Sequence, residues 1–198
     1  MTRSRSAALL AAALVGVLAL SACSSGDSGT PTPSGSGCTA ATNNAETIGH
    51  DACGVTVEGG FGEKPKITIG ADTMNVTQLQ VVDLVEGTGQ PVEPGAAVLA
   101  NYAGWGAMTM SPFDSSFDRG QPTAFSLDGV IKGWTLGIVG MKKGGRRLLV
   151  IPASLAYADS PPAGSGIQVN EPLVFVVDLV DYRNPTTSAS ASPSPSSS

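Results

Sequence analysis

The sequence predicts an α+β protein, a curled antiparallel β-sheet wrapped around one short α-helix, and three observations lead there. Several short runs alternate apolar and polar residues or are rich in β-branched side chains. A single segment, residues 130–140, replaces that two-residue period with a helical one. The order is strands, one helix, then strands again, not a repeating strand–helix–strand unit. At 198 residues, 41% hydrophobic and 14% charged, the chain holds one domain with segments to spare and is too apolar for a disordered polyelectrolyte.

The first segment is an address. Arg3 and Arg5 precede an apolar run over residues 7–20, short for a membrane-spanning helix and suited to a secretion signal at residues 1–22. Its end, Leu20-Ser21-Ala22-Cys23, resembles the bacterial lipobox, whose cysteine takes a diacylglyceryl group and becomes the first residue of the mature protein. Ordinary signal cleavage with Cys23 left as a free thiol is the alternative. A lone exposed thiol is a liability in an exported chain, which favours lipidation and a lipid anchor on the outer face of the cell membrane. Residues 23–37 read as a flexible Ser/Gly/Pro tether, and residues 184–198 as a disordered Ser/Pro tail.

Between them, residues 38–75 read as an N-terminal extension and residues 76–183 as the main domain. Cys38 and Cys53 are expected to bridge outside the cytoplasm, closing a loop worth about 3 kcal/mol; two unpaired thiols are the alternative. His50, alone inside that loop, is given no catalytic role. The strands expected are residues 55–57, 66–69, 79–85, 97–105, 146–151 and 173–182, the two shortest separated by a glycine-rich turn at residues 59–62. In the last of them Leu173, Phe175, Val177 and Leu179 share a face, the expected core face. Ile131, Trp134 and Ile138 form the helical stripe, with Asp128 or Gly129 as a start signal, Gly140 as a stop, and Trp134 pointing into the concavity of the sheet.

Composition removes several kinds of chemistry. The net charge is −5, and losing Arg3 and Arg5 with the signal makes it more acidic, which argues against nucleic acid as a partner. One histidine and three cysteines make a dedicated zinc site improbable, so no metal is assigned. The only histidine lies outside the expected sheet, which leaves no catalytic triad. Gly87-Thr88-Gly89 is read as a turn, because no phosphate-loop lysine follows it. The basic run over residues 142–147 is read as a solvated turn leading into the next strand.

What remains is an aromatic and aliphatic set with few titratable partners. Phe113-Asp114-Ser115-Ser116 is followed by Asp118-Arg119-Gly120, then by Val130-Ile131-Lys132-Gly133-Trp134. Gly140-Met141-Lys142-Lys143-Gly144, Ile151-Pro152-Ala153-Ser154-Leu155-Ala156-Tyr157 and Leu173-Val174-Phe175-Val176-Val177 come after. Together, in this order and spacing from about residue 76 to residue 182, they resemble the FKBP-type peptidyl-prolyl cis-trans isomerases.

The resemblance implies an enzyme that assists folding of exported proteins at X-Pro bonds by desolvating and twisting the amide in an apolar pocket. It implies Trp134 as the pocket floor and Tyr102, Phe113, Val130, Ile131 and Phe175 as walls. Tyr157 would offer its hydroxyl to a substrate carbonyl. Asp114 would sit at the edge, hydrogen-bonded to Tyr102 or paired with Arg119, and Ile167 would come from a flap loop over the opening. Proline-containing polypeptides are the implied substrates and macrolide inhibitors of the FKBP class the implied ligands, with no cofactor; a monomer is expected. The sequence departs from the family at the rim. Thr123 stands where an aromatic is common, residues 108–112 replace a shorter turn, Ala158 replaces a glycine, and Ile167-Gln168-Val169 replaces Ile-Pro-Pro. Two other classes stay open: a proline-segment binding module or chaperone with little turnover, and a structural lipoprotein whose cavity is filled by its own side chains.

Overall fold

The computed structural model describes residues 54–186, so Cys23, Cys38, Cys53 and His50, the signal, the tether and nearly all of the C-terminal tail lie outside the described residues. Two strands, β1 (Val55–Glu58) and β2 (Lys66–Ile69), form a hairpin. The remaining strands are β3 (Gln80–Val85), β4 (Ala97–Gly106), β5 (Pro112–Ser115), β6 (Thr123–Ser126), β7 (Arg146–Ile151) and β8 (Leu173–Arg183). They make one antiparallel sheet in the order β3-β7-β8-β4-β5, with β6 pairing β4 beside β5. One helix, α1 (Lys132–Ile138), packs on its concave face.

Burial on both faces explains the sequence pattern of the central strands. In β8, Leu173, Phe175, Val177 and Leu179 face the helix side with Trp134 and Ile138, as the alternation predicts. Val174 and Val176 are equally buried on the other side, with Trp105, Leu148 and Val150 and with Val55 and Val57 of the hairpin. A strand covered on both faces reads as a continuous apolar run, which is how residues 173–177 read. The helix can lie close to β7 because it presents glycines there. A Cβ on Gly133 would stand 2.3 Å from Ile151, and one on Gly137 2.6 Å from Leu149.

Three expectations need correction. β5 and β6 were not expected as strands: β5 opens on proline and carries Asp114 and Ser115, and each is four residues long, so neither shows a usable period. Neither Asp128 nor Gly129 caps the helix. Leu127–Gly129 forms a 3-10 turn, and the helix begins after Ile131 with no side-chain cap, although Thr135 Oγ1 donates to Leu127 O at 2.7 Å. Gly140, at φ +86°, follows the helix end in the left-handed conformation suited to a stop.

The third correction concerns the basic run. Lys142 and Lys143 are surface residues that pair with Glu86 and Asp181. Arg146 and Arg147 belong to β7 and are buried, because each stands directly across from a carboxylate, Asp178 on β8 and Asp83 on β3. Being adjacent in a strand, they point to opposite faces. Arg147 donates to Gly137 O at 2.7 Å and to Val139 O at 3.2 Å, satisfying carbonyls at the helix C-terminus. Arg146 reaches the other way, to Gly59 O at 2.7 Å and Glu63 O at 2.5 Å in the β1–β2 turn, while Gly62 N donates to Asp178 Oδ2 at 2.6 Å.

Candidate active site

The concave face is not filled by its own side chains. Tyr102 and Phe175, from the paired strands β4 and β8, stand around Trp134 of α1 with Phe113 from β5 and Phe125 from β6. Trp134 meets three of these rings edge-on, Tyr102 at 5.5 Å, Phe125 at 5.1 Å and Phe175 at 5.4 Å between centroids. Phe113 meets Phe175 edge-on at 5.5 Å. Edge-to-face contacts of this kind fix ring orientation and add to the burial energy. The rings leave a cavity of about 430 Å³ with Val130, Ile131 and Tyr157 on its walls. Its depth depends on Gly104, where a Cβ would stand 2.6 Å from Phe175 and 2.7 Å from Phe113.

The polar groups lie at one edge and are used unequally. Tyr102 donates its hydroxyl proton to Asp114 Oδ2 and accepts from Arg119 Nη2 at 2.8 Å. Arg119 Nη1 also binds Asp114 Oδ1, and its guanidinium lies 5.5 Å above the Tyr102 ring. The two readings of Asp114 are therefore both realised. Burial, followed by the hydrogen bond to Asp114, pushes the Tyr102 phenol above its usual range. Burial pushes the Asp114 carboxyl up, but hydrogen bonds from Tyr102 and Arg119 and the Arg119 charge outweigh it and hold the group below its usual range. Tyr157 differs: its hydroxyl makes no hydrogen bond among the described residues. Burial, and then the Asp114 charge, raises its pKa, so it stays a protonated donor directed at no protein acceptor.

Phe125 and Gly129 line the cavity without having been singled out from the sequence. The strand that carries Phe125 is only four residues long, too short for that residue to show a period. Ile167 packs against the apolar cluster of the concave face but is not among the cavity walls, and Arg119 acts from the edge through Asp114 and Tyr102. Thr123, lacking an aromatic ring, stands 3.5 Å from Arg119 Nη2. Among the described residues no group of three or more His, Cys, Asp or Glu could hold a metal.

Residues 88–180 match the family model of the FKBP-type peptidyl-prolyl cis-trans isomerases. A relative named "Probable FK506-binding protein" in Corynebacterium glutamicum is 43% identical over 119 residues, which are 60% of this chain and 98% of that protein. The chain belongs to the FKBP family. An FK506-binding protein of Streptomyces anulatus is 45% identical over 104 residues, covering 52% of this FKBP chain and 84% of the relative. The crystal structure of FkpA from Escherichia coli has a TM-score of 0.50 at 41% identity, covering 55% of this chain and 49% of that one. The curled antiparallel sheet with a single helix is the FKBP fold, and the activity of the family is cis–trans isomerisation of peptidyl-prolyl bonds.

Proposed function

We propose that this FKBP-type isomerase accelerates X-Pro isomerisation in exported polypeptides by receiving the proline ring in the aromatic cavity over Trp134. The observation that carries the reading is the contrast between the two tyrosines: Tyr102 is fully engaged with Asp114 and Arg119, whereas Tyr157, lining the apolar cavity, keeps a protonated hydroxyl that no protein acceptor takes up. Such a cavity, apolar with one or two oriented polar groups, is of the size that holds small ligands.

The chemistry asks little more. A prolyl amide is held planar by resonance, with a barrier of ~18–20 kcal/mol, and exchanges in tens to hundreds of seconds unaided. The twisted amide has lost much of its charge separation, so moving it out of water costs less than moving the planar form. Trp134, Phe113, Phe125 and Phe175 exclude that water, and Tyr157 is available to hold the neighbouring carbonyl while the bond turns. A thousandfold acceleration requires about 4 kcal/mol of preference for the twisted state. The Asp114–Arg119 pair keeps Tyr102, and with it one wall, in a single orientation.

The same reading extends to the cell. A signal over residues 1–22 and a lipidated Cys23 would hold the domain on its tether at the outer face of the membrane, where exported chains emerge. Replacing Cys23 by Ala should move the protein from the membrane fraction to the soluble one, and retention in the membrane would contradict the anchor. A binding role beside catalysis is favoured by Met108 and Met110, which are 50% and 54% exposed on the loop leading to Phe113. Exchange spectroscopy on a Leu-Pro or Phe-Pro peptide with the full chain separates the two. Faster exchange establishes catalysis, and binding without faster exchange leaves a proline-segment binding module.

A further inference from the structure

Beyond the aromatic cavity, the most heavily committed side chain near its mouth is a carboxylate that the isomerisation chemistry does not use. Glu171 precedes β8 and is 2% exposed. Its Oε1 accepts from Met108 N at 2.9 Å, Thr109 N at 2.8 Å and Thr109 Oγ1 at 3.0 Å, all in the β4–β5 turn. Its Oε2 accepts from Gln168 N at 2.7 Å in the flap loop. All four partners are donors, so only an acceptor at both oxygens satisfies them, which a carboxylate is and an amide is not.

The position is as informative as the bonding. Tyr102, Gly104 and Gly106 lie on one face of β4, two residues apart. Gly104 leaves room for Phe113 and Phe175, and Gly106 leaves room for Glu171, whose Oε1 would stand 2.3 Å from a Cβ there. The carboxylate is thus the next occupant of the pocket face, about 7 Å further along the strand than the aromatic pair. Around it the backbone is strained. Met110, Ala158 and Asn170, at φ +51°, +49° and +56°, are the only non-glycine residues with positive φ among the described residues. Met110 sits in the β4–β5 turn, while Ala158 and Asn170 both lie in the connection from β7 to β8, where Asn170 N donates to Ala158 O at 2.6 Å. Strained residues persist where surrounding bonds over-determine them.

We infer that Glu171 is a positioning residue of this isomerase, joining the β4–β5 turn and the flap into one preformed lip against which the chain flanking the substrate proline is seated. The inference rests on the cavity being the substrate site. The flap carries Gln168, which has an N–H, where the family commonly has a proline, which has none. The tie to Glu171 therefore does here what a proline ring does by fixing φ. The lip it holds presents Met108, Met110 and Val169, each at least half exposed, on the two loops that Glu171 ties together.

The test is steady-state isomerisation of a Leu-Pro peptide by the full-length wild type, Glu171→Gln and Glu171→Ala, with thermal unfolding of each. An amide that keeps its oxygen toward Met108 and Thr109 turns its NH₂ toward the Gln168 N–H, so Glu171→Gln releases the flap alone. The expected result is a folded Glu171→Gln protein with KM raised about fivefold and kcat within about twofold, and a larger rise in KM for Glu171→Ala. A folded Glu171→Gln protein with wild-type KM overturns the inference, and an inactive wild type overturns the substrate site instead. If neither variant folds, amide hydrogen exchange on the wild type decides. Protection of the Met108, Thr109 and Gln168 amides above that of Val169 supports the tie, and free exchange at all of them contradicts it.

Discussion

The two faces of the main sheet are built from the same strands and end in opposite states. On the convex face, Val174, Val176, Leu148 and Trp105 are covered by the β1–β2 hairpin, and the Arg146–Asp178 pair beneath it has no exposed side-chain surface. Among the described residues no fully buried side-chain donor or acceptor lacks a partner, and Arg146 reaches the turn carbonyls of Gly59 and Glu63. On the concave face, α1 covers only part of the curl. The rest is the cavity over Trp134, with one unmatched hydroxyl on Tyr157. Adjacent arginines divide the labour, Arg146 clasping the hairpin and Arg147 the helix end. One face is finished by the protein itself, and the other is left open.

If that division is right, damage to the two faces should separate cleanly. The largest effect belongs to the convex side. Asp178→Ala leaves a buried guanidinium without its counter-charge and should cost about 3–5 kcal/mol in denaturant unfolding. The molecules that remain folded should keep kcat/KM within about twofold, because nothing in the cavity touches Asp178. A loss of activity larger than the folded fraction accounts for would break the comparison.

The concave edge is subtler. Burial pushes the Asp114 carboxyl up, yet its bonds from Tyr102 and Arg119 bring it below the ordinary range, so its folded pKa is depressed relative to the unfolded chain. Its contribution is complete above the unfolded value of about 3.9 and is lost as pH falls through the lower folded value. Activity should hold from pH 7 to about pH 4 and fail only below that. Asp114→Asn should lose a few-fold in kcat/KM at pH 7 and lack the acid limb. A wild-type midpoint above the ordinary aspartate range would contradict the edge geometry.

The smallest effect sharpens the picture of the rim. Ala158 holds φ +49° where the family commonly has glycine. A left-handed alanine costs roughly 1–2 kcal/mol, and glycine gives back part of that through the freer unfolded chain. Ala158→Gly should therefore raise stability by about 0.5–1 kcal/mol, read as an upward shift in unfolding midpoint. A lower midpoint would mean that the loop is not strained there.

How much of this was legible in the sequence follows from the same two faces. Alternation in β4 and the long apolar run of β8 exposed those strands, because both are covered on their two faces, and a helical stripe exposed α1, whose buried side faces the sheet. The four-residue β5 and β6 escaped, being defined by pairing to β4 and not by any pattern of their own. The cavity was legible through the ordered fragments around Phe113, Trp134, Tyr157 and Phe175, whose resemblance to the family named its walls. Phe125 was hidden in a short polar strand. The burial of Arg146 and Arg147 was hidden because their partners, Asp178 and Asp83, are distant in sequence and meet them only through strand register. Glu171 carried no signal, since its partners are mostly backbone N–H groups, which every residue but proline has.

The most direct test of the central claim is prolyl exchange by Tyr157→Phe and Phe113→Ala in the full chain, measured beside their unfolding midpoints. Both residues are only partly buried, so stability should change little. Phe113→Ala should lower kcat/KM by about tenfold or more and Tyr157→Phe by several-fold. Unchanged activity in both folded variants would mean that the open face is not where the bond turns.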